Sequence, residues 1–153
     1  MQELLSNVIS TGVYIITVRS GERINGMTAA WVTQVSFKPK LVVVSIAPAR
    51  YTHNLIQESG FFCINTLSKD DIELAKKFGF LSGRNEDKFK DINYTNALKG
   101  SPIIEGAIAY VECEVVSSVD AGDHTLFIGQ VVDAAILKED KEPLIFKWKD
   151  FFK

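Results

Sequence analysis

What most limits the folds open to this chain is a series of short, β-prone apolar runs, each cut off by turn-forming residues, with only two helical patterns between them. Gly12–Val18 is compact and β-branched, and Arg19-Ser20-Gly21-Glu22-Arg23 behind it reads as a turn that returns through Ile24 in a hairpin. Leu41–Ile46 is almost continuously aliphatic between Pro39 and Pro48, the pattern of a strand buried on both faces, and Phe61–Leu67 repeats it. Ala107–Val116 alternates, with Ala107, Ala109, Val111, Cys113 and Val115 on one face and Glu112 and Glu114 on the other, as in a half-solvated strand. Asp120-Ala121-Gly122-Asp123 turns into His124–Val132, and Ala134–Leu137 extends that run. One helix is expected over Thr52–Ser59, capped by Thr52 and ended by Gly60. A second is expected over Ser68–Phe78, where Ser68 and Asp71 resemble a capping box and Ile72, Leu74, Ala75 and Phe78 supply the apolar positions. Gly79–Lys90 reads as a polar loop, and the aromatic-rich Leu144–Phe152 either closes the domain or covers a partner. Many strands with two short helices predict a mainly β, antiparallel barrel or sandwich, not a doubly wound sheet.

With 153 residues, 46% of them hydrophobic, and no internal repeat or linker, residues 1–153 are expected to form one domain. Lys and Arg total 17 against 19 Asp and Glu, a net charge of -2 that gives no electrostatic reason to expect nucleic-acid binding. No apolar run approaches the roughly 20 residues of a membrane span, and Met1–Ser10 lacks a cationic secretory start, so a cytoplasmic protein is expected. Cys63 and Cys113 each sit in an apolar run, as buried structural thiols do. With no C-x-x-C pair and only His53 and His124 as imidazoles, no metal site is expected. G-x-G-x-x-G, G-x-x-x-x-G-K-[ST] and G-x-S-x-G are all missing, which argues against Rossmann, P-loop and serine hydrolase chemistry.

Three segments suit an anionic, planar ligand. In Gly26-Met27-Thr28-Ala29-Ala30-Trp31, small side chains would let a flat ring approach the backbone; the same residues also suit a strand packed closely on a neighbour. In Pro48-Ala49-Arg50-Tyr51-Thr52-His53, a strand delivers Arg50 and the Thr52 hydroxyl to a helix N-terminus, a setting for a phosphate; Arg50 as a plain surface charge is the alternative. The loop from Phe80 through Ser82, Arg84 and Lys88 to Phe89 could bring Arg84 and Lys88 to the same anion, or could simply be solvated.

The order of these segments resembles the flavin reductase-like family, whose fold is a Greek-key, FMN-binding split β-barrel with short flanking helices. The resemblance runs from about Met1 to Leu137. It rests on Gly26-Met27-Thr28-Ala29-Ala30, Val35-Ser36 with Pro39, Leu41–Ile46, Phe61-Phe62-Cys63-Ile64-Asn65-Thr66-Leu67, and Gly122-Asp123-His124-Thr125 with Gly129. Ile24-Asn25-Gly26, Thr52-His53, Glu58-Ser59-Gly60 and Phe78-Gly79-Phe80-Leu81-Ser82-Gly83-Arg84 are closer still to the flavin domain of high-molecular-weight rubredoxins. The cysteines of a rubredoxin module are not present, so the expected electron acceptor is a separate redox protein or a small molecule.

The resemblance implies a homodimer that binds FMN, takes hydride from NADH or NADPH, and passes electrons to a flavin, an iron complex or a redox protein. The alternative is an electron-transfer FMN protein reduced by a protein partner. By the same resemblance, Met27, Thr28, Ala29, Ala30 and Trp31 would line the isoalloxazine, and Ser45, Ile46 and Ala47 with the following loop would hold the ribityl chain. Arg50 and Thr52, next to Tyr51, would take the phosphate, with Phe80, Ser82, Arg84 and Lys88 as further cofactor contacts. His124 would sit on the nicotinamide side; a histidine that closes the Asp123 turn is the other reading. Two departures stand out: Gln34 replaces a common Ser, and Pro39-Lys40 replaces Pro-Pro. Trp31 is left with three roles: shielding the flavin, contacting the partner subunit, or packing in the core.

Overall fold

The computed structural model of the chain describes residues 1–152. Its elements are α1 (Gln2–Val8), β1 (Tyr14–Ser20), β2 (Arg23–Ala29), β3 (Val32–Ser36), β4 (Leu41–Ile46), α2 (Tyr51–Ser59) and β5 (Phe61–Thr66). There follow α3 (Ile72–Phe80), β6 (Tyr94–Asn96), β7 (Pro102–Ile104), β8 (Ala109–Ala121), β9 (His124–Ile136) and α4 (Trp148–Phe151). Seven strands make one antiparallel sheet in the order β2-β1-β5-β8-β9-β4-β3, and β6 pairs with β7 beside it. The two edge strands, β2 and β3, are consecutive in the chain, with only Ala30 and Trp31 between them. A sheet whose opposite edges are joined by two residues has to roll up. The seam lies at this two-residue link, beside which the β3–β4 pairing continues as the Ser45 N–H donates to the Trp31 carbonyl at 3.1 Å. This is the mainly β, split-barrel architecture expected from the sequence.

Alternation along the strands builds two cores. Inside the barrel, Ile16, Val18, Met27, Ala29, Val44, Ile46, Phe62, Ile64, Cys113 and Phe127 pack with Leu55 and Ile56 of α2. Outside β1, the opposite residues Val13 and Ile15 pack with Leu67, Ala75, Phe78, Phe89, Ile104 and Leu144. Each such side chain, fully buried, stabilises by about 1.5–3 kcal/mol before entropy is counted. α2 plugs the barrel and ends at Gly60, whose φ of 78° is the left-handed cap the sequence predicts. Gly129 is required for another reason: a Cβ there would lie 2.5 Å from Cys113 Cβ and 2.8 Å from the Phe62 ring.

Several expectations need correction. The strand buried on both faces is β1, together with β5; in β4 only Val44 and Ile46 are fully buried, because nothing comparable to α3 covers its outer side. Glu112 does not face solvent. It is fully buried, and its carboxylate accepts the N–H groups of Lys99 at 2.7 Å and Ser101 at 3.0 Å, since the segment around β6 and β7 folds over that face. Thr52 does not cap α2; Arg50 holds the N-cap position without a side-chain cap. Helix α3 starts later than Ser68, with Asp71 at its N-cap, although the Ser68 N–H does donate to Asp71 Oδ2 at 2.9 Å. The stretch Gly79–Lys90 is not all polar loop: α3 runs to Phe80, and Lys88 and Phe89 are buried. Helix α1 was not anticipated, nor were β6 and β7. Cys63 and Cys113 are free and buried as expected, and burial pushes the Cys113 thiol up to about 12.

Candidate functional site

The seam that closes the barrel is also where the sequence placed a flat ring. Met27, Thr28, Ala29, Ala30 and Trp31 form one wall of a cavity of about 630 Å³, and Ser45, Ala47, Arg50 and His124 continue it. That volume lies within the range of about 300–1,000 Å³ of small-molecule sites. The barrel positions these residues by strand register, because β2 leads directly across the seam to β3 while β4 runs antiparallel beside it. Thr28 is anchored by donating its hydroxyl to the Ala75 carbonyl at 2.6 Å. Gly26 belongs to the packing reading instead, since a Cβ there would sit 3.1 Å from the Phe78 ring and Ile15. Trp31 is half exposed and lines the cavity, so of its three candidate roles the core is ruled out. Ile46 points away into the barrel core, as alternation requires of the residue between Ser45 and Ala47.

The far end of the cavity is cationic. Arg50 lines both the main cavity and an adjoining one of about 220 Å³, whose walls include Asn25, Tyr51, Ser82 and Lys88. Arg50 Nη2 donates to the Gly79 carbonyl at 3.3 Å. Lys88 is 2% exposed, and its ammonium donates to the Gly26 carbonyl at 2.8 Å and the Phe78 carbonyl at 2.9 Å. Burial lowers the pKa of Arg50. It lowers that of Lys88 to about 8, helped by the positive charge of Arg50 nearby. Neither cation forms an ion pair among the described residues. Two desolvated like charges without a counterion are costly, and an anion between them would remove that cost. The first turn of α2 adds to the attraction, because no side chain caps its N–H groups. Thr52 is wholly buried, and its hydroxyl oxygen accepts from Asn25 Nδ2 at 2.9 Å. Asn25 thus ties the first turn of α2 to β2.

Arg84 does not join Arg50. It lines a neighbouring cavity of about 330 Å³, with its guanidinium 5.1 Å from the Tyr51 ring centroid. Phe80 lines the smaller cavity beside Arg50 and meets Phe152 edge-on, with ring centroids 6.0 Å apart. On the other side of the main cavity, the His124 ring lies 4.8 Å from that of Trp31. His124 Nδ1 is 2.7 Å from Asp123 Oδ1, which holds the Asp123 carboxyl below the usual carboxylate range. His124 therefore both closes the turn and faces the cavity.

The remaining wall was not anticipated. Gln2, Leu5 and Ser6 of α1, Ile9 and Thr11 just after it, and Phe146, Trp148 and Phe152 from the C-terminal segment complete the main cavity. The i, i+4 pair Leu5 and Ile9 was a helical signal, and the aromatic run was visible without its destination. No group of three or more His, Cys, Asp or Glu side chains suited to a metal occurs among the described residues, and no helix there is long and apolar enough to cross a membrane.

Comparison with known proteins supplies the lineage of this arrangement. A high molecular weight rubredoxin of Moorella thermoacetica is 39% identical over 144 residues, covering 93% of this chain; the chain spans 62% of that relative's length. A ferric-chelate reductase (NAD(P)H) of Archaeoglobus fulgidus is 37% identical over 133 residues, covering 86% of this chain and 79% of the relative. Among solved structures, an NADH:FAD oxidoreductase of Streptomyces globisporus superposes with a TM-score of 0.88 at 28% identity, over 95% of this chain and 86% of the other. The flavin reductase like domain matches residues 5–153, nearly the whole chain, and with it the seam, the cationic pocket and His124: this chain belongs to the flavin reductase-like family.

Proposed function

We propose that the chain is an FMN-dependent oxidoreductase that takes hydride from NADH or NADPH and passes electrons on to a flavin, an iron chelate or a redox protein. The observation that carries this reading is an apolar slot at the barrel seam leading to the half-buried Arg50 and the buried Lys88, neither of which has a counterion among the described residues. A flavin phosphate fits that donor set, and a flat tricyclic ring fits beside small side chains. When bound, the flavin supplies the two-electron acceptor for hydride from the nicotinamide. Arg50, the third N–H of Lys88 and the open first turn of α2 bind the phosphate. The Ala29–Trp31 backbone and Ser45 orient the ring edge, and Met27 underlies it. Trp31 and His124 border the side from which a nicotinamide enters, with Asp123 fixing the imidazole. Holding two rings in contact supplies much of the rate of such a transfer, so no acid–base residue is required.

Membership of a family with reductase relatives supports the reaction class, and the name of the Archaeoglobus relative supports a nicotinamide donor. We further propose a homodimer, supported by exposed apolar side chains on β3, in the turn after it and on the outer half of the β8–β9 hairpin, among them Val35, Phe37, Val116 and Val119. Sedimentation of the purified chain tests this, with a monomer at micromolar concentration refuting it. The cytoplasm is the proposed compartment, supported by two free thiols. The reaction is tested by anaerobic reduction of the flavin-loaded chain with NADH and with NADPH, where bleaching of the flavin band is expected. A flavin left oxidised by an excess of both donors refutes it.

A further inference from the structure

Asn25 is a polar residue on an apolar face. It shares the inner side of β2 with Met27 and Ala29, its cross-strand partner Val18 belongs to the barrel core, and it is 3% exposed. A buried amide in that position needs partners. Its Nδ2 donates to the Thr52 hydroxyl oxygen at 2.9 Å, and Thr52, itself wholly buried, stands in the first turn of α2. The other end of α2 is fastened to the same hairpin, where Glu58 accepts from the Ser20 hydroxyl and pairs with Arg23. Asn25 therefore fixes the end of the helix that starts at Arg50.

The same amide stands against the loop after α3. A Cβ at Gly83 would lie 2.2 Å from Asn25 Oδ1, 2.6 Å from its Cγ and 2.9 Å from its Nδ2, closer than side chains approach one another. Gly83 has no positive φ, so its backbone would admit other residues, and what demands glycine there is the Asn25 amide. Asn25, Gly83 and Lys88 line both of the cavities beyond the ring slot. The carbonyl of the next residue, Gly26, accepts from Lys88 Nζ at 2.8 Å. One dipeptide of β2 thus touches three parts of the cationic pocket: the first turn of α2, the Gly83 turn and the Lys88 ammonium.

Resting on the phosphate reading of that pocket, we propose that Asn25 is its positioning residue. The amide spaces the first turn of α2 from the Gly83 turn, so that Arg50, Lys88 and the uncapped N–H groups of α2 converge on one anion, and Gly83 is glycine to admit it. Asn25 needs no contact with the anion, because it acts through Thr52 on one side and Gly83 on the other. The donors it spaces serve the phosphate alone, so its effect is confined to a flavin that carries one.

The test is titration of the flavin-free, full chain with FMN and with riboflavin, read by quenching of flavin fluorescence, in the wild type, Asn25→Ala, Gly83→Ala and the double variant. The wild type is expected to bind FMN more tightly than riboflavin. Asn25→Ala is expected to raise the Kd for FMN roughly tenfold, the cost of one lost hydrogen bond to a charged group, and to leave riboflavin within about twofold. Gly83→Ala drives the amide off Thr52 while keeping every donor of the pocket, and is expected to match it. In the double variant the added methyl meets no amide, so the loss should equal that of Asn25→Ala alone and not the product of the two. Urea unfolding registers the folding of each variant separately, and Gly83→Ala, on a partly exposed turn, keeps the test open if Asn25→Ala does not fold. A wild type with no preference for FMN overturns the phosphate reading and this proposal with it. A wild type that prefers FMN, with a folded Asn25→Ala or Gly83→Ala that keeps the same preference, overturns the proposal alone. Equal losses for FMN and riboflavin would make Asn25 a residue of the fold and not of the phosphate site, and losses that multiply in the double variant would separate Gly83 from it; either result overturns the proposal.

Discussion

Flavin affinity should fall with rising pH through the titration of one buried lysine. Lys88 in the flavin-free chain titrates at about 8, because burial disfavours its ammonium and Arg50 repels it. A flavin phosphate beside it stabilises the charged form and raises that pKa. The bound state therefore holds a proton that the free state gives up above pH 8, and binding weakens as pH rises through that value. The free chain is about nine-tenths protonated at Lys88 at pH 7 and about one-tenth at pH 9, so the Kd for FMN should rise roughly tenfold, about 1.4 kcal/mol, between them. The phosphate itself, with a second pKa near 6, is already a dianion across this window. The assay is fluorescence titration with FMN and riboflavin at pH 7, 8 and 9. Riboflavin lacks the phosphate and should show a flat profile, as should FMN with Lys88→Gln. A flat FMN profile in the folded wild type, or a riboflavin profile that falls in parallel, would refute the assignment of Lys88 to the phosphate.

Arg50→Ala should weaken FMN binding by roughly 1.5–3 kcal/mol while leaving riboflavin nearly unchanged; equal effects on both would remove the guanidinium from the phosphate. Glu112→Ala strands the Lys99 and Ser101 N–H groups in a dry environment and should cost roughly 2–5 kcal/mol of folding stability, so an unchanged urea midpoint would contradict the burial described. Gly129→Ala forces a methyl group against Cys113 and Phe62 and should lower stability by about 1–3 kcal/mol. A thermal transition that does not move would show that the barrel wall gives way freely there.

The barrel was legible where its signals are local. The Arg19–Arg23 turn, the proline-bounded run Leu41–Ile46 and the Gly60 cap each depend on a few neighbouring residues, and each stands where the sequence puts it. Glu112 was misplaced because alternation marks a face but not what covers it; the donors that bury its carboxylate come from Lys99 and Ser101, on a segment too short and irregular to announce itself. Lys88 was named as a candidate contact, but its burial was hidden for a similar reason. A lysine in a charged stretch reads as solvated, and only the meeting of β2 and α3 supplies the two carbonyls that hold it inside. In the site, strand alternation already separates Ser45 and Ala47 from Ile46, so that correction was available from the pattern alone. Helix α1 left a weak trace because its apolar residues stay exposed, and it matters only as a wall of the cavity.

The reductase assignment is tested most directly by the visible spectrum of the purified chain, loaded with FMN, desalted, and mixed anaerobically with NADH and then NADPH. The account predicts a retained flavin spectrum that bleaches with at least one of the two donors. A retained spectrum that neither donor bleaches would contradict it and assign the chain to electron transfer from a protein partner.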